Sequence, residues 1–147
     1  MVREESYSEF TDVSEDSKQY IKPTDSINED TELFILAELT KFEDNLRFTH
    51  KDVTLGNLAA DFGTNVKYLS AIIKEHKGEN FKSYISNLRI NYIINMIKND
   101  SSYRKYKISY LAEITGFLSA SSFTKKFKEI MGVTPSLYFE QLPEDEK

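Results

Sequence analysis

The chain has 147 residues, 39% of them hydrophobic, with a net charge of −5 and no cysteine. That is enough for one domain or two small ones, and it excludes disulfides and thiolate metal sites. The two histidines, His50 and His76, are too few and too separated for zinc; with no apolar run near a membrane span and no signal-peptide core, a soluble chain in the cytoplasm is expected.

The net charge hides an asymmetry. Residues 1–50 hold 5 Lys/Arg and 13 Asp/Glu, a net of −8. Residues 51–142 hold 13 Lys/Arg and 8 Asp/Glu, a net of +5, and residues 143–147 hold 1 Lys and 3 acids, a net of −2. A basic segment flanked by acidic ones points to a polyanion as partner.

Residues 1–30 are acidic, rich in Ser and Thr and without periodicity, which predicts a disordered tail or linker. Helix signals begin at "DTELFILAELTKFEDN", where Thr31 or Asp30 can cap and Leu33, Leu36, Leu39 and Phe42 form an apolar series. "TLGNLAADFG" predicts a short helix with Thr54 as N-cap and Gly63 as its stop. "NVKYLSAIIKEHKG" predicts a third helix ending at Gly78. The longest follows, about 80–98, with Phe81, Tyr84, Ile85 and Leu88 on one stripe of its first half. Its second half, "INYIINMI", is apolar nearly all round, as expected of a helix between two packed bodies. The loop "NDSSYRKYKI" mixes aromatic and basic residues; its tyrosines either pack it down or serve phosphate contact. "ISYLAEITGF", "SASSFTKKFKEIMG" and "TPSLYFEQL" complete an all-α prediction of about seven helices, ahead of an acidic tail, 143–147.

A repeat runs through this pattern. "LAADFG" (58–63) matches "LAEITG" (111–116) at a shift of 53, and after one extra residue the shift is 54. Leu69 then pairs with Phe123, Ile73 with Phe127, Gly78 with Gly132 and Tyr84 with Tyr138. Each copy has Ala-x-x-x-Gly, Ala59 to Gly63 and Ala112 to Gly116. A small residue allows close helix crossing, and glycine supplies positive φ at the turn. Two helix-turn-helix units follow, about 54–78 and 108–132, joined by the long helix.

The outer faces of the second helices carry the candidate chemistry. At about 100° per residue, Leu69, Ile73 and His76 point inward in the first copy. Lys67, Ala71 and Lys74 point outward, with Ser70 on the flank. In the second copy Lys125 lies opposite Phe123 and Phe127, between Ser121 and Lys128. Small side chains let a helix sit deep in a groove, hydroxyls bond base edges, and lysines meet guanine edges or phosphates. His76 fits a core-flanking or capping residue, and Arg89 a paired structural charge. No nucleophile–base pair, phosphate loop or carboxylate pair appears, so neither an enzyme nor a cofactor is expected.

"LAADFGTNVKYLSAIIKEHKGENFKSYISNLRI" and "ISYLAEITGFLSASSFTKKFKEIMGVTPSLYF" together resemble the DNA-binding domain of AraC-type transcription regulators. Gly116-Phe117, Phe123, Phe127-Lys128, Gly132 and Pro135 carry the likeness most specifically. The resemblance implies two helix-turn-helix subdomains within residues 31–142 joined by a central helix, with the second helix of each in a major groove. By position, the base-reading places fall on Lys67, Ser70 and Ala71, with Lys74 beside them, and on Ala120, Ser121, Thr124 and Lys125, with Lys128 beside them. The first motif has Ile73 where the family often has Phe, and Ala71 where it often has Arg, which implies a poorer reader. The long loop resembles the branch found as the output of larger bacterial sensor proteins. That implies double-stranded DNA as partner, RNA polymerase as a further candidate, a missing N-terminal sensor, tethered to a membrane in the full-length protein, and no small-molecule site in this chain. The competing expectation is a protein-interaction module of the same fold that binds DNA weakly or without specificity.

Overall fold

The computed structural model describes residues 27–143. The chain divides into two units at the boundary between Glu32 and Leu33. In the first, Asn28 Oδ1 accepts the Thr31 N–H at 2.8 Å. Asn28, rather than Thr31 or Asp30, therefore caps helix α1 (Glu29–Asp44). The rest of the expected acidic tail, residues 1–26, and residues 144–147 lie outside the described residues.

Among the described residues the fold is all-α, with seven α-helices and no strand. After α1 come a 3-10 turn (Arg47–Thr49), α2 (Leu55–Asp61), α3 (Val66–Lys77) and α4 (Phe81–Asn99). A second 3-10 turn (Ser101–Lys105), α5 (Ile108–Ile114), α6 (Ala120–Met131) and α7 (Pro135–Gln141) follow. All the helices but α5, which follows Lys107 without a side-chain cap, start where a side-chain oxygen is available. Thr54 accepts from Asn57 N–H, Asn65 from Tyr68 N–H, Asn80 from Ser83 N–H, Ser119 from Ser122 N–H and Thr134 from Leu137 N–H. Each such cap is worth about 1 kcal/mol. α3 and α6 stop at Gly78 (φ 74°) and Gly132 (φ 83°), in the left-handed region.

The repeat is visible as geometry. α2 and α5 have 7 residues each, and α3 and α6 have 12 each. At the first turn Thr64 N–H donates to Ala59 C=O at 2.9 Å; at the second, Phe117 N–H donates to Ala112 C=O at 3.0 Å. Thr64 and Phe117 are therefore equivalent at the shift of 53, whereas the caps Asn65 and Ser119 are equivalent at 54. The extra residue is Leu118.

α1 buries Ile35, Leu39 and Phe42, while Leu33 is 57% exposed. The expected series from Leu33 in steps of three drifts by about 60° per step, so Leu33 and Phe42 end on opposite sides. The i, i+4, i+7 set keeps to one side. α4 supplies both motifs. Its first half buries Tyr84 and Ile85. Ile90, Ile93, Ile94 and Ile97 join Leu111, Ala112, Phe117, Phe123 and Phe127 in the core of the second motif. Burying such a side chain fully stabilises by about 1.5–3 kcal/mol. The second half of α4 is not buried all round, however. Asn91, Asn95 and Lys98 are exposed, and these polar residues define a solvent side.

Candidate nucleic-acid interface

α5 and α6 pack on one another, and α6 also packs on α4. Phe123 and Phe127 are fully buried, with ring centroids 5.9 Å apart, and Phe117 meets Phe123 edge-on at 5.5 Å. This aromatic row fixes which way α6 faces. Ser121, Lys125 and Lys128 are exposed on its other side, with Ala120 and Thr124 half-buried. Lys126 sits to the side and pairs with Glu129 at 3.6 Å. Lys125 and Lys128 enter none of the ion pairs among the described residues. The free faces of α6 are therefore positive and thin.

α3 is held in the same manner by Leu69, Ile72 and Ile73, all fully buried. Lys67 and Lys74 are exposed, but Ser70 and Ala71 are half-buried. α3 thus offers cations at two points of its outer side and little reach between them. His76 was expected to face inward and is exposed. Ile130 fills the same place in the second copy and is 37% exposed. Both lie in line with the buried stripe, but in the last turn before the terminating glycine.

Two exposed apolar side chains escaped the sequence reading. Val66, the first residue of α3, is 49% exposed, and Leu118, just before α6, is 82% exposed. The one-residue change of shift inside the repeat was the signal that could have singled out Leu118. It lies on the wall of a cleft of about 760 Å³ between the start of α2, the first half of α4 and α6. Thr54, Lys82, Arg89, Phe117 and Lys125 also line it.

Arg89 is not presented to a ligand. Its Nε donates to Phe48 C=O at 2.6 Å and its Nη2 to His50 C=O at 2.8 Å. Burial lowers its pKa from the ordinary arginine value, but a guanidinium stays charged in any such setting. In the loop before α5, Tyr103 packs against the second core, whereas Tyr106 and Tyr110 are exposed and meet edge-on at 4.9 Å. Packing and exposure are thus divided among the tyrosines. Among the described residues no cluster of His, Asp or Glu is arranged to hold a metal ion, and no helix is long and apolar enough to cross a membrane.

The helix-turn-helix domain family matches residues 58–141, from α2 to the end of α7. The TCP pilus virulence regulatory protein of Vibrio cholerae serotype O1 is 31% identical over 109 residues, which are 72% of this chain and 38% of that protein. An uncharacterised HTH-type transcriptional regulator of Bacillus subtilis, YtdP, is 27% identical over 129 residues, 84% of this chain and 16% of that protein. The chain thus spans well under half the length of these relatives. The C-terminal domain of AraT, a response regulator from Geobacillus stearothermophilus, has the same fold, with a TM-score of 0.66 at 23% identity over 77% of this chain and 88% of that one. The family and these relatives are transcription regulators, not enzymes. With more than half its length matched, the chain belongs to the AraC-type helix-turn-helix family.

Proposed function

We propose that this chain is the sequence-specific DNA-binding portion of a bacterial transcription regulator, with α3 and α6 entering two adjacent major grooves. The observation that carries this reading is the doubled motif itself. Two units of equal helix lengths, whose second helices are both side-chain capped and glycine-terminated, each free the outer side of that second helix. A repeated groove reader fits the repeated spacing of B-DNA.

The roles divide by side chain. Ser121 and Lys125 on α6 meet base edges, with Ala120 and Thr124 permitting close approach; Lys128 holds phosphate. On α3, Lys67 and Ser70 are the base readers, Lys74 the phosphate contact, and Ala71 a small spacer. The short reach of Ser70 and Ala71 leaves the second motif with most of the discrimination. The domain spans residues 31–142. A sensor region outside this chain and RNA polymerase are the protein partners this role calls for.

Geometry adds a constraint. α4 has 19 residues, about 28 Å at 1.5 Å per residue, against about 34 Å between successive major grooves on one face. A rigid α4 therefore requires the DNA to bend toward the protein, at a cost of about 1–6 kcal/mol.

Selection from a random DNA pool, followed by footprinting and a salt series, tests the reading. The expected outcome is two base boxes about one helical turn apart, the stronger under α6, with affinity falling as salt rises. Binding indifferent to sequence at every salt concentration would instead mark the fold as a protein-docking module. Protection of one groove segment alone would remove α3 from the reading.

A further inference from the structure

The two motifs meet at a joint that neither recognition helix contains. Arg89 lies in α4 between the residues that serve the first motif and those that serve the second. Its guanidinium binds the carbonyls of Phe48 and His50, on either side of Thr49 in the first 3-10 turn. The guanidinium carbon also lies 5.7 Å from the centre of the Phe117 ring, in the turn of the second motif. Gly116, in that turn, presses against the same place. A Cβ there would stand 2.7 Å from Thr49 O and 2.9 Å from Arg89 Nε. The equivalent Gly63 has nothing within 4 Å of its Cβ position. The second turn is therefore seated on the segment that precedes the first motif, with Arg89 between them.

We propose that Arg89 is a positioning residue: by clamping the 47–50 segment and stacking on Phe117 it fixes the offset of α6 from α3, and so sets which spacing between two DNA boxes the protein accepts. This rests on the two-motif reading of DNA above. The planar guanidinium suits the task because it binds two acceptors and an aromatic face at once. A lysine can keep the charge but not that combination. Inserting or removing one base pair moves a box by about 3.4 Å along the axis and rotates it out of line, so a fixed offset is read out as a sharp spacing preference.

The test combines two measurements on Arg89→Met and Arg89→Lys in the full chain, each first checked for wild-type helix content. One is affinity for the selected site and for versions with one base pair inserted or removed between the boxes. The other is the distance distribution between spin labels at Ala60→Cys on α2 and Glu113→Cys on α5, both exposed in a chain without cysteine. Wild type should lose about tenfold in affinity on the altered spacings and give one narrow distance. Arg89→Met should bring the altered and selected spacings within about threefold of each other and broaden the distance, while base preference under each helix is kept; Arg89→Lys should fall between. Equal loss at all spacings with an unbroadened distance would overturn the proposal and leave Arg89 a stability residue. If wild type shows no spacing preference at all, the two-groove reading fails instead, and the distance widths still decide whether Arg89 holds the joint. If Arg89→Met does not fold, Phe117→Leu, which removes the stacking ring alone, should broaden the distance; an unchanged width in it would equally refute the idea.

Discussion

Tyr84 Oη donates to Glu43 Oε2 at 2.5 Å, bonding α4 to the end of α1. Lys77 at the end of α3 reaches the same carboxylate oxygen at 3.3 Å and lies 5.9 Å from the Tyr84 ring centre. One carboxylate thus ties three helices. Tyr84→Phe removes the hydroxyl but leaves Glu43 its lysine, so the expected loss is about 1–2 kcal/mol in urea unfolding. No measurable loss would mean that Lys77 alone satisfies Glu43.

The same residue predicts an alkaline limit. Burial, then the bond to Glu43 and the charges of Glu43 and Glu79, raise the Tyr84 pKa above its ordinary 10.0. The folded state keeps the proton after the unfolded chain has released it. The contribution is therefore whole below about pH 10 and declines above it. Stability measured from about pH 9 to 11 should fall less steeply in Tyr84→Phe than in wild type; equal slopes would place the alkaline decline on other groups.

The two turn glycines should respond differently to one substitution. Gly63 has φ 72° and open space around it, while Gly116 has φ 93° and backbone atoms of Thr49 against it. Asparagine adopts the left-handed region at modest cost. Gly63→Asn should lose at most about 1 kcal/mol. Gly116→Asn must also displace the 47–50 backbone, and should lose about 2–3 kcal/mol or more. Equal losses in denaturant melts would show that φ alone matters at both turns.

Under the proposed function Lys125 and Lys128 make two different kinds of contact. Lys125→Ala should weaken the selected site by about 1–3 kcal/mol and relax one base position. Lys128→Ala should weaken all sequences alike and lower the salt slope by about 1. A sequence-independent loss in Lys125→Ala would reassign it to phosphate.

Leu118, the residue added to the second turn, is a spacer. Because it is so exposed, Leu118→Ala should change stability by no more than about 0.5 kcal/mol. Deleting it should cost far more. Phe117 is fixed behind it by its bond to Ala112, and Ser119 ahead of it caps α6 through Ser122 N–H at 3.1 Å. Losing that cap alone is worth about 1 kcal/mol. Thermal unfolding of the deletion near the wild-type midpoint would show the turn to be elastic.

Much of this was legible in the sequence because the signals were local. Thr54, Gly63, Gly78 and Pro135 announce helix ends by their own chemistry, and the repeat aligned the motifs before any coordinates. Periodicity gave direction but not extent. His76 and Ile130 lie in line with buried residues and are exposed, because nothing in a wheel says how far a neighbouring helix reaches. The half-burial of Ser70 and Ala71 escaped as well, since a wheel gives a direction and not an exposed area. Arg89 was legible as a paired charge, but its partners, backbone carbonyls 41 and 39 residues away, carry no side-chain signature.

The sharing of α4 has a thermodynamic consequence. Because α4 places buried residues in both motifs, the motifs should unfold as one cooperative unit, not as two foldons. A ligand gripping either motif then draws the whole unit toward its native state, by mass action on a single equilibrium. Holding one recognition helix in place would in this way lower the ordering entropy left for the other.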